Sequence, residues 1–177
     1  MGNIKNEMAD KLSVLHFISE MNAPIMGYQI EDYFIQKNLM DVFDIHDILG
    51  DLMEIEFIKT SNVFDRIYYH CTPNGKAALE NLGTELPQDK RLEIDEYCRE
   101  NRYRIINENN IVTSVKEAPN NQYQVSMFIL DNAQPLIEVS LFLDREEYVR
   151  KVISSWKVSA TEIYSSITET LFRDDVE

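Results

Sequence analysis

The stretch that decides the fold is residues 57–82, which read FIKTSNVFDRIYYHCTPNGKAALENL. Two runs rich in β-branched and aromatic residues, 57–60 and 66–71, flank a short polar segment at 61–65. Such runs predict strands, and the length of the segment between them suits a hairpin loop. The stretch therefore predicts a two-stranded β-ribbon in its first half.

A helix is predicted immediately after this ribbon, over about residues 73–82. Thr72 is a good N-cap, and Pro73 is tolerated at the first helical position because its missing N–H would have no partner there. Gly83 is predicted to end the helix in the left-handed conformation that glycine adopts readily. The ribbon and the helix are thus joined without a linker.

Upstream of the ribbon, the hydrophobic period is that of helices. Apolar residues recur at three- and four-residue spacing over about residues 7–21, 28–37 and 44–56. Pro24 lies between the first two of these helices and separates them. Asp44 is predicted to cap the third helix. Three short helices therefore precede the ribbon.

The order of three helices, a ribbon and a helix, with YYHCTPNGKAALENL at residues 68–82, resembles a bacterial winged helix-turn-helix. The spacing of Tyr, Thr, Gly and Leu is similar to the ribbon-to-helix junction of PadR-like and MarR-like regulators. It is also similar to an uncharacterised winged-helix family of low-GC Gram-positive bacteria, and that resemblance extends over most of the chain. It implies that the third helix is the recognition helix, that residues 61–65 form the wing, and that the protein is a dimeric DNA-binding transcriptional regulator.

The second half of the chain has a different pattern. A connector helix is predicted over about residues 84–109, and three strands follow at 111–117, 123–130 and 136–143, separated by turns. The strands form an antiparallel meander whose apolar face needs cover. We therefore predict an α+β protein with a winged-helix domain at residues 1–83 and a dimerisation or sensing domain at residues 84–177.

A long C-terminal helix is the predicted cover for the meander. It begins with Asp144 as its cap and carries apolar residues at three- and four-residue spacing as far as Leu171. A break at residues 159–162, which resemble a capping box, is the alternative to one continuous helix. The helix is longer than a meander needs, so we expect a homodimer in preference to a monomer. The interface is predicted to include Val152, Trp156, Ile163, Ile167 and Leu171.

Composition excludes several classes of protein. The 177 residues contain 17 Lys and Arg against 31 Asp and Glu, a formal net charge of -14, which argues against a basic nucleic-acid coat. No apolar run approaches the roughly 18 residues of a membrane span, so we predict no membrane partner and a cytoplasmic location. Cys71 and Cys98 have no metal or disulfide spacing.

The predicted recognition helix is unusually acidic. Asp44, Asp47, Asp51 and Glu54 are spaced at i, i+3, i+7 and i+10, which places four carboxylates in one stripe. No Lys or Arg lies between residues 44 and 56. Because DNA binding gains affinity when protein cations replace condensed counterions, an acidic helix opposes entry into a groove. The stripe is either a solvated helix face or a docking surface for a basic protein.

DNA binding would therefore depend on other side chains. The candidates lie at the start of the second helix, in the third helix, and at the base and tip of the wing, where Asn62 is the predicted tip residue. They are Tyr28, Gln29, His46, Lys59, Asn62 and Arg66. Lys5 and Lys11 are secondary candidates.

We carry three hypotheses from the sequence. The first is a homodimeric winged-helix regulator that binds duplex DNA, the second is a winged-helix module that binds a basic protein through the acidic stripe, and the third is a small-molecule sensor. The resemblance favours the first and the charge favours the second. We rank the first ahead of the second, because DNA binding is the commonest use of the winged-helix fold. His16, His46 and His70 lack metal-ligand spacing, and no nucleophile motif or Gly-rich phosphate loop is present. We therefore predict no catalytic residue, no metal and no cofactor.

Overall fold

The structure is a computed structural model that describes the backbone of residues 2–173 and the side chains of residues 7–173. In that part of the chain it is an α+β protein with six α-helices and two three-stranded antiparallel sheets. The helices are α1 (Gly2–Met21), α2 (Gly27–Gln36), α3 (Val42–Glu54), α4 (Pro73–Leu82), α5 (Gln88–Asn110) and α6 (Glu146–Leu171). The strands are β1 (Ile25–Met26), β2 (Ile58–Val63), β3 (Arg66–Cys71), β4 (Ile111–Ala118), β5 (Gln122–Asp131) and β6 (Gln134–Leu143).

The predicted class, α+β with a three-stranded meander and a long C-terminal helix, is confirmed. The chain forms two compact units divided between Asn107 and Glu108, later than the predicted boundary at residue 83. The reason is that α5 buries Ile94, Cys98 and Ile105 in the first unit's core. No helix within residues 2–173 is long and apolar enough to cross a membrane.

The first unit is built on a small sheet with the strand order β1-β3-β2. Strand β1, which the sequence did not predict, pairs Ile25 with Tyr69 and Met26 with Tyr68. Helices α1, α2 and α3 bury their apolar stripes together, and Phe17 stacks on Tyr33 with ring centroids 5.0 Å apart. Aromatic pairs of this geometry add to the apolar burial that holds the helices in place.

Strands β2 and β3 form a hairpin that is tighter than predicted. The pairing continues to Val63 opposite Arg66, so that Phe64 and Asp65 alone form the turn, with φ of 51° and 61°. Two positive φ values are those of a two-residue turn whose twist matches the strands. Asn62 was predicted at the tip, but it lies within β2 opposite Ile67 because the strands are longer than expected.

The junction between β3 and α4 follows the prediction closely. The Thr72 hydroxyl oxygen accepts a hydrogen bond from the Gly75 amide at 3.1 Å, and Pro73 occupies the first turn. The Thr72 hydroxyl also donates to the carbonyl oxygen of Glu56 at 2.7 Å. Gly83 does not end α4 in a left-handed conformation. Its φ is −60°, and it begins a short 3-10 helix at residues 83–85.

The second unit is the meander β4-β5-β6 covered by α6. Val125 and Met127 of β5 are buried against Val149, Trp156 and Ala160 of α6. The helix is continuous through residues 159–162, because an uninterrupted apolar stripe holds it to the sheet. Arg145 and not Asp144 occupies its N-cap position, and no side chain caps it.

Candidate interaction surface on helix α3

Helix α3 begins earlier than the sequence suggested. The Asp41 carboxylate accepts a hydrogen bond from the Asp44 amide at 2.9 Å, so Asp41 is the N-cap and Asp44 lies in the first turn. Both aspartates have the chemistry of a cap, and Asp41, which immediately precedes the helix, accepts from the amide of Asp44 three residues later. The Asp44 carboxylate therefore does not cap the helix.

One side of α3 is anchored and the other is open. Its buried residues are Ile45, Ile48, Leu49 and Leu52. The opposite side presents the carboxylates of Asp44, Asp47 and Glu54, which are exposed and have no hydrogen bond or ion pair among the side chains of residues 7–173. Phe43, at 80% exposure, stands beside them at the start of the helix. This outward side is called the α3 face below.

A shallow groove of about 850 Å³ runs along one edge of the α3 face and is strongly acidic. Its carboxylates are those of Glu7, Asp10, Asp44, Asp47, Asp51 and Glu54. Lys11 is the lysine in the groove lining, and its Nζ lies 2.9 Å from the carboxylates of both Asp51 and Glu7. The hydrogen bond to Asp51 is the largest cause that raises the pKa of Lys11, and the hydrogen bond to Glu7 is the next. The two carboxylates also neutralise the charge of Lys11. Lys11 therefore adds no free positive charge for a phosphate.

Gly50 lies in the exposed middle of α3, and no close contact within the protein requires a glycine there. A Cβ at this position would meet nothing within 4 Å. Glycine inside a helix destabilises it by roughly 0.5–1 kcal/mol relative to alanine. The α3 face thus has a shallow gap between its acidic residues, which the sequence alone did not single out.

The other predicted DNA-contacting residues of α2 and α3 are engaged in local structure. Gln29 is 4% exposed, and its Oε1 accepts a hydrogen bond from the Met26 amide at 3.0 Å. Its Nε2 donates to the hydroxyl of Tyr28 at 3.2 Å. His46 Nε2 lies 2.9 Å from the Glu31 carboxylate. Gln29 therefore holds the start of α2, and a carboxylate accompanies the His46 imidazole.

The hairpin candidates are spread along β2 and β3. Lys59 is exposed opposite His70, whereas Arg66 lies at the turn end opposite Val63. Four residues of strand separate these positions, which corresponds to about 13 Å. Arg66 also hydrogen bonds with the side chain of Tyr68. The structure does not gather these cations into one patch, and the side chain of Lys5 lies outside the described residues.

The predicted dimer residues divide into two groups. Trp156 is 2% exposed, its Nε1 donates to the Phe128 carbonyl oxygen at 3.3 Å, and Val152 packs on the same core. Both therefore cover their own sheet. Ile163, Ile167 and Leu171 instead line an open groove of about 660 Å³ along the distal end of α6.

Polar groups that could hold a metal or start a reaction already have partners. The ligand atoms of His16, Glu20 and Asp95 lie within 4.8 Å of one another, but His16 Nε2 is 2.6 Å from Asp95 and Glu20 is bonded to Arg102. Ser61 Oγ lies 2.7 Å from His70 Nε2. Burial and nearby Lys59 lower the pKa of His70, and no carboxylate is bonded to its ring among residues 7–173.

Comparison with known proteins gives a family and no function. Neither a curated protein nor a solved structure matches this sequence. A family model described as "Domain of unknown function (DUF4364)" matches residues 10–171. The match covers nearly the whole chain, and the protein therefore belongs to the DUF4364 family.

Proposed function

We propose that residues 7–82 form a winged helix-turn-helix module and that the protein is a homodimeric regulator which recognises a basic protein through the α3 face. The element order α1-β1-α2-α3-β2-β3 and the sheet order β1-β3-β2 support the module. So does the tight turn at Phe64 and Asp65, which takes the place of the wing tip. In this arrangement α3 occupies the recognition position.

The observation that carries the proposal is the unpaired, exposed set of carboxylates at Asp44, Asp47 and Glu54. Duplex DNA carries about one negative charge per 1.7 Å of axis, so these groups would be repelled from a groove. Against a lysine- or arginine-rich surface the same charges steer association and favour the correct partner. Exposed Phe43 supplies an aromatic anchor of the kind that dominates protein interfaces.

Gly50 adds a second line of support. A residue that weakens its helix and relieves no internal contact is accounted for by close approach of another molecule, since glycine lets a partner reach the backbone. The gap at Gly50 lies between carboxylates on the α3 face, where a basic side chain of the partner would find both space and charge. The same position needs no glycine if the face contacts only water.

The test is quantitative co-purification from cells that express the protein at its normal level. Three versions are compared: wild type, Asp47→Lys with Glu54→Lys, and the control Glu100→Lys with Glu169→Lys. The control changes the net charge equally at exposed carboxylates that have no ion pair in the described residues. We expect a basic protein that the α3 variant loses at least tenfold and the control retains. Equal recovery by all three versions would contradict the proposal.

Duplex DNA is the second candidate, and the exposed, unpaired Lys59 on the hairpin favours it. Its test is retention of random genomic duplex fragments by the full chain at low and moderate salt. A regulator of this class would enrich a palindromic site in a salt-sensitive manner, and Lys59→Glu with Arg66→Glu would abolish the enrichment. No enrichment at low salt would eliminate this candidate.

The homodimer is proposed to form through the distal end of α6. Ile163 and Leu171 are exposed there, Leu171 at 75%, on a helix whose first half is covered by its own sheet. Sedimentation velocity should give twice the chain mass for wild type and the single-chain mass for Ile163→Asp with Leu171→Asp. A monomeric wild type would contradict this part of the proposal, and Val158→Asp, at an exposed position nearer the middle of the helix, is the control.

A further inference from the structure

A second concave surface lies in the first unit, between α1, α4 and α5, and it is independent of the α3 face. It is an open cleft of about 440 Å³, within the size range of small-ligand sites. Its charged and titratable lining residues are His16, Glu20, Lys76, Glu80, Arg91 and Arg102. This surface is called the cation cleft below.

The cleft contains two cations that no carboxylate neutralises in the described part of the chain, whereas most other cations of the first unit have one. Elsewhere in the first unit, Lys11, Lys37, Lys90 and Arg99 each have a carboxylate within ion-pairing distance. Lys76 and Arg91 have none among residues 7–173. In a chain with a net charge of -14, two unpaired cations on one small cleft form a local reversal of sign.

Arg102 lines the same cleft, and Glu20 holds its guanidinium. Its Nη2 donates to the Glu20 carboxylate at 3.0 Å and to the Glu20 carbonyl oxygen, which fixes the guanidinium in place. Its Nε is buried and has no acceptor among the described residues. Because that Nε is inaccessible to solvent, a ligand in the cleft would meet Arg102 through the accessible part of its side chain, which is 38% exposed.

The remaining groups define the ligand further. Glu20 is occupied by Arg102, and His16 is held by Asp95 at 2.6 Å, which leaves Glu80 as the cleft's carboxylate without a partner in the described part of the chain. Three cations against two carboxylates leave one positive charge in excess. Lys76 and Glu80 are one helical turn apart on α4, so the negative group lies beside only part of the opening.

We propose that the cation cleft binds a small metabolite through a carboxylate or phosphate group. Lys76 and Arg91 provide charge-assisted hydrogen bonds, and Arg102 adds a further positive charge to the lining of the cleft. The proposal goes beyond the recognition of a protein by α3 and stands whether or not that recognition occurs. No residue of the cation cleft belongs to the α3 face.

The experiment is calorimetric titration of the full chain with inorganic phosphate and, separately, with succinate, at constant ionic strength set with sodium chloride. We expect one saturable site per chain for at least one probe. Phosphate alone would identify a phosphate ligand, succinate alone a carboxylate ligand, and both the shared oxyanion. Lys76→Gln with Arg91→Gln should weaken binding at least tenfold.

The matched control is Lys116→Gln with Lys151→Gln, which removes the same charge from exposed, unpaired lysines of the second unit. It should leave the affinity within twofold of wild type, and melting curves would verify that both variants fold. The Nε–H resonance of Arg102 provides a local readout that should shift on saturation. Absence of saturable binding at millimolar concentration of either probe would overturn the proposal, as would equal weakening by the control pair.

Discussion

Helices α3 and α4 each contain one glycine, and the two glycines have opposite surroundings. At Gly75 of α4 an added Cβ would lie 2.2 Å from the carbonyl oxygen of Phe57, whereas at Gly50 of α3 it would meet nothing within 4 Å. Gly75 is thus required by the fold, and Gly50 is not. Helix α4 is therefore locked to the strands, and together they form what is called the frame below. Helix α3 instead presents an open surface.

The largest effect is expected when the frame is overpacked with Gly75→Ala. The new methyl group would force apart two backbone segments, and we expect a loss of about 3 kcal/mol in the free energy of unfolding. Denaturant unfolding followed by circular dichroism would measure it. A loss below about 1 kcal/mol would show that α4 is not locked to Phe57 in the way described.

Removing the cap of α4 should have a smaller effect. Thr72→Ala deletes the acceptor for the Gly75 amide and the donor to the Glu56 carbonyl oxygen. We expect a loss of about 1–2 kcal/mol in the same unfolding experiment. Thr72→Ser keeps the hydroxyl and should recover most of the stability. Equal losses in both variants would mean that the hydroxyl does not hold the junction.

High pH should weaken the core of the first unit, in which Cys98 and Tyr33 are buried. Burial raises the pKa of the Cys98 thiol to about 12 and also raises that of Tyr33. The unfolded thiol ionises near its ordinary value of about 8.5, so the unfolded state loses a proton that the folded state keeps. Stability should therefore fall above about pH 8.5, by roughly 2 kcal/mol at pH 10.

Thermal unfolding between pH 8 and pH 10.5 would measure this decline. Cys98→Ala should be less stable at pH 8 because it leaves a cavity, but its stability should fall less steeply with pH than that of wild type. An unchanged slope would show that Cys98 ionises with its ordinary pKa in the folded protein.

The smallest effect on stability is expected at the surface, and its sign is reversed. Gly50→Ala should increase the free energy of unfolding by about 0.5–1 kcal/mol, because alanine suits a helix interior better and clashes with nothing. The same variant should weaken capture of the basic partner by at least tenfold if a side chain of that partner fills the gap. Higher stability with unchanged capture would remove Gly50 from the proposed interface.

The sequence predicted elements whose signals are local. The bounds of β3 and α4, at residues 66–71 and 73–82, agree with the structure because Thr72 and Pro73 specify the junction. The prediction that Asp44 caps α3 was wrong, because Asp41 lies three residues earlier and has the same chemistry. Strand β1 has two residues, which is too short to show a period of its own.

The candidate surfaces were only partly predictable. The acidic stripe on α3 follows from the spacing of its carboxylates along one helix. The pairing of Lys11 with Asp51, the burial of Trp156 and the presence of Lys76 and Arg91 on one cleft depend on the packing of elements distant in sequence. No periodicity within one element reports such contacts.

The central claim is that the α3 face contacts a basic protein, and site-specific photo-crosslinking in living cells tests it most directly. p-Benzoylphenylalanine would replace Phe43, which is 80% exposed on the α3 face, and in a control it would replace Tyr103, which is 83% exposed on α5. We expect a protease-sensitive adduct with a basic protein from position 43 that position 103 does not give. A nuclease-sensitive adduct from position 43, or no adduct specific to it, would contradict the account.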